Sequence, residues 1–150
     1  MDFLLSDENK MIQDTVRNWV TSECSRSQAL QWDEEGGLPA EKFQELAKLG
    51  FCGLTVPEAF GGQQAGIFNA CLILEELAYV SVPLAIQFAS SAILGSSALN
   101  DLGTGRQKNE FLPACVDGAI RIALAAGKPG DPFRPDARAP RFIQIGGHYR

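Results

Sequence analysis

The sequence predicts a mainly α-helical domain of five helices, followed by the truncated start of a β-domain. Three observations carry that prediction. Apolar residues recur at helical spacing near the N-terminus and again from Ile67 to Ala78. From Leu77 to Asn100 the chain runs 24 residues without a charge. From residue 119 the period changes, with Ile120, Ile122 and Leu124 alternating with Arg121, Ala123 and Ala125, as in a strand.

Ser6 is suited to an N-cap, and Asp7 and Glu8 place negative charge at the positive end of a helix dipole. Met11, Ile12, Val16, Trp19 and Val20 then define the buried side of a first helix, from about residue 7 to the mid-twenties. Asp33-Glu34-Glu35-Gly36-Gly37 reads as a loop. Pro39 opens a second helix with Phe43, Leu46 and Ala47 inside, and Gly50 stops it. Phe51 to Gly66 reads as extended loop around Pro57 and Gly61-Gly62. A third helix presents Ile67, Ala70, Cys71, Leu74, Leu77 and Ala78, leaving Glu75 and Glu76 as a solvated edge.

The uncharged run is long and apolar enough for a membrane span. Pro83 interrupts it, however, and Gln87, Ser90, Ser91, Ser96 and Ser97 dilute it. A helix from near Pro83, apolar almost all round and buried in protein, is the expectation, and its polar groups then require partners. Thr104 and Gln107 form a capping-box pattern for a fifth helix to Val116, with Phe111, Leu112 and Cys115 inward. Gly127 to Pro140 holds four prolines and reads as irregular. Arg141 to Ile145, Gly146-Gly147 and His148-Tyr149-Arg150 read as a strand, a two-residue turn and the start of a return strand. The domain boundary therefore falls at 118, dividing helical 1–118 from an incomplete 119–150.

At 45% hydrophobic and 21% charged residues, the 150-residue chain is globular in composition rather than disordered. A net charge of −5 argues against general nucleic-acid binding. Residues 119–150 are locally basic, with six Lys and Arg against two Asp and Glu, which fits either a solvated loop or attraction for an anion. Cys24, Cys52, Cys71 and Cys115 are scattered and the sole histidine is His148, so no metal set is expected, and three of the four thiols read as small buried groups in a reducing compartment. The N-terminus has the character of neither a signal nor a transit peptide, so a cytoplasmic location is expected. No Gly-x-Gly-x-x-Gly, Walker or Gly-x-Ser-x-Gly pattern occurs.

The order Leu49-Gly50-Phe51-Cys52-Gly53-Leu54-Thr55-Val56-Pro57-Glu58-Ala59-Phe60-Gly61-Gly62, then Leu72-Ile73-Leu74-Glu75-Glu76-Leu77-Ala78, resembles the N-terminal helical domain of acyl-CoA dehydrogenases. That resemblance implies an FAD-dependent oxidoreductase of fatty acid metabolism that desaturates acyl-CoA thioesters between the α and β carbons. It implies that the helix following Pro83 walls the acyl cavity, with Gln87, Ser90, Ser91 and Leu94 toward substrate. Leu124, Ala126 and Gly127 would pack against the flavin. No residue matches the family's catalytic glutamate, which belongs to a later domain, so no catalytic residue is assigned. The family's flavin-contacting Thr-Glu-Pro-Gly-x-Gly-Ser-Asp aligns with Gly127-Lys128-Pro129-Gly130-Asp131-Pro132-Phe133-Arg134, where Pro129 and Gly130 match and both hydroxyls are missing. Two readings follow from different classes: a fragment of a dehydrogenase, inactive by itself, or a non-catalytic partner subunit or interaction domain. Either predicts an oligomer, formed with itself or with a full-length relative, and an acyl-CoA ligand.

Overall fold

Ser6 caps the first helix, α1 (Asp7–Glu23), by accepting the Asn9 N–H at 3.1 Å, and the chain leaves it at Cys24. The structure is a computed structural model that describes residues 4–35 and 38–124, together with the backbone of 144–145 and 148–149. Val16 and Val20 form the buried stripe of α1, while Met11 faces outward, one turn before the stripe meets the core.

A second helix, α2 (Arg26–Glu34), fills the stretch between the expected end of the first helix and the expected loop, and takes in Asp33 and Glu34 of that loop. Its start is dictated locally. Ser25 and Gln28 make a reciprocal capping box, and Ala29 and Trp32 then bury one short face. The acidic run masked this helix because only two apolar positions carry it.

Helix α3 (Ala40–Lys48) follows Pro39 and buries Phe43, Leu46 and Ala47 as expected. Gly50 ends it at φ 83°, a left-handed conformation that glycine adopts at little cost. The segment expected to be extended instead folds into two short 3-10 turns, Phe51–Gly53 and Glu58–Phe60. Their backbone groups pair back within the segment: Gln63 N–H reaches Gly53 C=O at 2.9 Å and Ala65 N–H reaches Leu54 C=O at 2.8 Å. Buried Phe51, Cys52, Leu54 and Val56 therefore plug the core from a loop.

Helix α4 (Gly66–Val80) packs chiefly on α1 and on the helix after it. Its inner face differs from the sequence reading. Ala70, Ile73 and Leu77 are buried together with Leu72 and Asn69, whereas Ile67, Cys71 and Ala78 are exposed. Because α4 is apolar on both sides, spacing alone did not choose the face. Buried Asn69 settles it, accepting from the Asn9 side chain and donating to Ala65 C=O at 3.0 Å. Glu76 is not a solvated edge. Its carboxylate takes two hydrogen bonds from Arg17 of α1, at 2.6 and 3.1 Å, and only Glu75 stays in solvent.

The long helix α5 (Val82–Leu102) begins at Ser81, with Pro83 in its first turn. It is long and apolar enough to cross a membrane, and 44% of its most apolar stretch is buried inside the protein. Over Ala89–Gly95 the helix widens to π geometry. The Ala92 carbonyl there accepts hydroxyls from both Thr55, at 2.8 Å, and Ser96, at 2.9 Å, which offsets the loosened ladder. Helix α6 (Gly105–Val116) carries the expected Thr104–Gln107 capping box; Leu112 and Cys115 point inward and Phe111 outward.

The core lies between these helices, with Phe43, Leu46, Ile73, Leu77, Leu84 and Phe88 nearly inaccessible. Each contributes roughly 1.5–3 kcal/mol by leaving water. The expected strand at residues 120–125 does not form in its described part, to Leu124. A ladder needs a partner strand, and this segment lies against α5 instead. Gln144–Ile145 and His148–Tyr149 pair antiparallel, the register expected for a turn at 146–147. The irregular segment read at 127–140 lies outside the described residues.

Candidate functional site

The segment from Gly118 to Leu124 turns back from α6 and crosses α5, and this crossing builds the site. Two residues of α5 hold it. Ser91, almost fully buried in the π segment, accepts the Ile122 N–H on its hydroxyl at 3.0 Å. One turn on, Gly95 leaves room for Ile122, since a Cβ there would approach the Ile122 side chain and carbonyl to 2.8 Å. The alternation of residues 120–124, which imitates a strand, thus reflects an arm with Ile122 toward a helix.

Between arm and helix lies a cleft of about 340 Å³, lined by Ile86, Gln87, Ser90, Ser91, Arg121, Ile122 and Ala123. Arg121 Nη1 donates to Gln87 Oε1 at 2.7 Å, and its guanidinium stands 5.9 Å from the centre of the Phe43 ring. A larger hollow of about 710 Å³ lies between α1 and α4. Its charged wall is the Arg17–Glu76 pair, which already satisfies itself, with solvent-facing Glu75 beside it, and it holds none of the residues assigned from sequence, so the smaller cleft is the better candidate.

The structure brings together three of the four residues assigned to substrate. Gln87, Ser90 and Ser91 line the cleft, although the Ser91 hydroxyl is engaged by the arm. Leu94 lies farther along the same helix, 52% exposed and outside the cleft lining. Of the flavin-assigned residues, Leu124 is 47% exposed at the end of the docked arm, and Ala126 and Gly127 lie outside the described residues. Arg121 and Gly95 were missed from sequence. The only signal was an arginine in an otherwise apolar alternation, and it gave no sign of the neighbour it would meet.

No carboxylate or histidine lines the cleft, so nothing there abstracts a proton. Among the described residues no group of three metal-ligating side chains comes together. The buried thiols are inert: burial pushes Cys24 up to about 11 and Cys52 up to about 12, and also raises Cys115 against a lowering hydrogen bond from Ser91.

Residues 6–119 match the acyl-CoA dehydrogenase N-terminal domain. The chain belongs to that family. Benzylmalonyl-CoA dehydrogenase of Aromatoleum aromaticum is 40% identical over 149 residues, covering 99% of this chain and 39% of that protein. Among solved structures, a glutaryl-coenzyme A dehydrogenase in its glutaryl-CoA complex superposes with a TM-score of 0.85 at 28% identity, covering 99% of this chain and 38% of that one. An acyl-CoA dehydrogenase from Bacillus anthracis, complexed with FAD, superposes at 0.71 and 27% identity, covering 84% and 22%. The chain spans about two fifths or less of the length of the curated relatives it matches. Its helical architecture is that of the family's N-terminal domain.

Proposed function

We propose that this chain supplies the N-terminal helical wall of a cytoplasmic, FAD-dependent acyl-CoA dehydrogenase and is catalytically inactive by itself. The carrying observation is the arm docked across α5, which sets Gln87, Ser90 and Ser91 along one cleft and carries the chain on to Leu124. In this reading the cleft and the neighbouring Leu94 flank the acyl group. The arm delivers Leu124, and then Ala126 and Gly127, toward the flavin.

The described residues fit a flavin as an apolar edge: Leu124 is half-exposed, and Ile122 behind it is anchored by Ser91 and Gly95. Bound FAD would take up the hydride removed from the β carbon. The chain's own part is to bind the thioester and exclude water, since its cleft offers no base. Purified chain supplied with FAD, an acyl-CoA and an artificial electron acceptor should bind the thioester and show no turnover. Measurable turnover overturns the proposed inactivity, and absence of any acyl-CoA binding overturns the substrate assignment.

A second reading, a non-catalytic partner subunit, is favoured by the outer face of α4 and α5. Tyr79, Val82 and Leu94 stand exposed there, as does Ile86 at the cleft, and exposed apolar side chains of this size are of the kind that meet another polypeptide. The missing hydroxyls of Gly127 and Phe133 suit the same reading. Light scattering across a dilution series tests it. A strictly monomeric chain that binds no hydrophobic dye would exclude association through this face.

A further inference from the structure

Arg121 is the one cation in the cleft, and its surroundings define what it is free to hold. Among the described residues it forms no ion pair, a state it shares with Arg26, Lys48 and Lys108, but of these only Arg121 lines this cleft. Its single side-chain hydrogen bond goes to the Gln87 carbonyl oxygen. A guanidinium carries five N–H donors and no acceptor, so one contact leaves it far from saturated. That contact also fixes the Gln87 amide, because only the oxygen of Gln87 can meet a donor. The Gln87 amide nitrogen, Nε2, is thereby left as a donor, and the Ser90 hydroxyl has no hydrogen-bond partner among the described residues. Arg121, Gln87 and Ser90 all line the same cleft, between the apolar walls of Ile86, Ile122 and Ala123. The Phe43 ring behind Arg121 is buried and helps hold the guanidinium in place.

An excess of donors within apolar walls is matched by an acceptor-only group on a short hydrocarbon stem. A carboxylate has that character, and arginine binds it by two parallel hydrogen bonds. We propose that the cleft selects acyl-CoA substrates whose acyl chain ends in a second carboxylate, with Arg121 as the specificity-determining residue and Gln87 as the residue that positions it. The inference rests on the acyl-CoA reading above and deepens it.

Isothermal titration of the chain with glutaryl-CoA, pentanoyl-CoA and free CoA tests this. The two thioesters share the same five-carbon length and differ in the terminal carboxylate. Glutaryl-CoA should bind roughly tenfold more tightly than pentanoyl-CoA, and Arg121→Met should abolish that difference. Arg121→Lys keeps the charge but loses the planar fork, so it should retain only part of the selectivity; it carries the test if the methionine variant folds poorly by circular dichroism. Equal binding of the two thioesters overturns the inference and leaves the acyl-CoA reading standing. Selectivity unchanged in both variants also overturns it. Free CoA binding as tightly as glutaryl-CoA would mean that the anion recognised is a CoA phosphate, which likewise overturns it. Binding of neither thioester overturns both readings.

Discussion

Replacing Gly95 with alanine separates local helix energetics from arm docking. Alanine in place of glycine within a helix stabilises it by about 1 kcal/mol. Against that, the new Cβ would sit 2.8 Å from Ile122 Cγ2 and 2.8 Å from its carbonyl oxygen, closer than real contacts allow. One neighbour is backbone, so no rotamer change relieves the clash, and the arm must lift from α5. Lifting removes the hydrogen bond from Ile122 N–H to Ser91, worth about 1 kcal/mol. It also exposes the partly buried Ile122 side chain, worth roughly 1 kcal/mol as about half of full burial. The loss is therefore about 2 kcal/mol, offset by about 1, and Gly95→Ala should destabilise by about 1 kcal/mol. Urea denaturation measures the net change, and hydrogen exchange at the Ile122 amide reports docking directly. Loss of amide protection with a small drop in stability is expected. A variant stabilised by about 1 kcal/mol, with the amide still protected, would refute the docking described here.

Other consequences are independent of the arm. Leu77→Ala hollows a site of 0% exposure between α4 and α1 and should cost about 2–5 kcal/mol, read from denaturant midpoints. Thr104→Ala removes the cap of α6 and should cost about 1 kcal/mol, with fraying visible as faster exchange at the Gln107 amide. A thiol reagent at pH 8 should label exposed Cys71 rapidly and Cys24, Cys52 and Cys115 slowly, by mass spectrometry of digests. The raised thiol values also set a sign for stability against pH. Between about 9 and 11 the unfolded chain gives up thiol protons that the folded chain keeps, so stability is intact below about 9 and falls as pH rises through that window. Stability rising over that range would contradict the burial of Cys24 and Cys52.

Local chemistry made much of this protein legible from its residues. Ser6, Gly50 and the Thr104–Gln107 box mark helix ends through hydrogen bonds and dihedrals that involve only near neighbours, and each stands where the sequence puts it. The inward face of α3, Phe43, Leu46 and Ala47, was equally clear, because one narrow apolar stripe admits a single inward orientation. The order of glycine, proline and helical segments carried the family resemblance. Tertiary structure decided what periodicity leaves ambiguous. Helix α4 carries apolar residues on more than one side, so its inner face was chosen by the Asn69–Asn9 contact and the Arg17–Glu76 pair, across about 60 residues of chain. The alternation at 120–124 reads equally as a strand or as an arm lying on a helix, because both place every second residue inward. Only the meeting of Ile122 with Ser91 and Gly95 distinguishes them, and the same meeting sets Arg121 beside Gln87. The candidate site is therefore a product of long-range contact, where a residue's role depends on a partner that its own neighbours in sequence do not name.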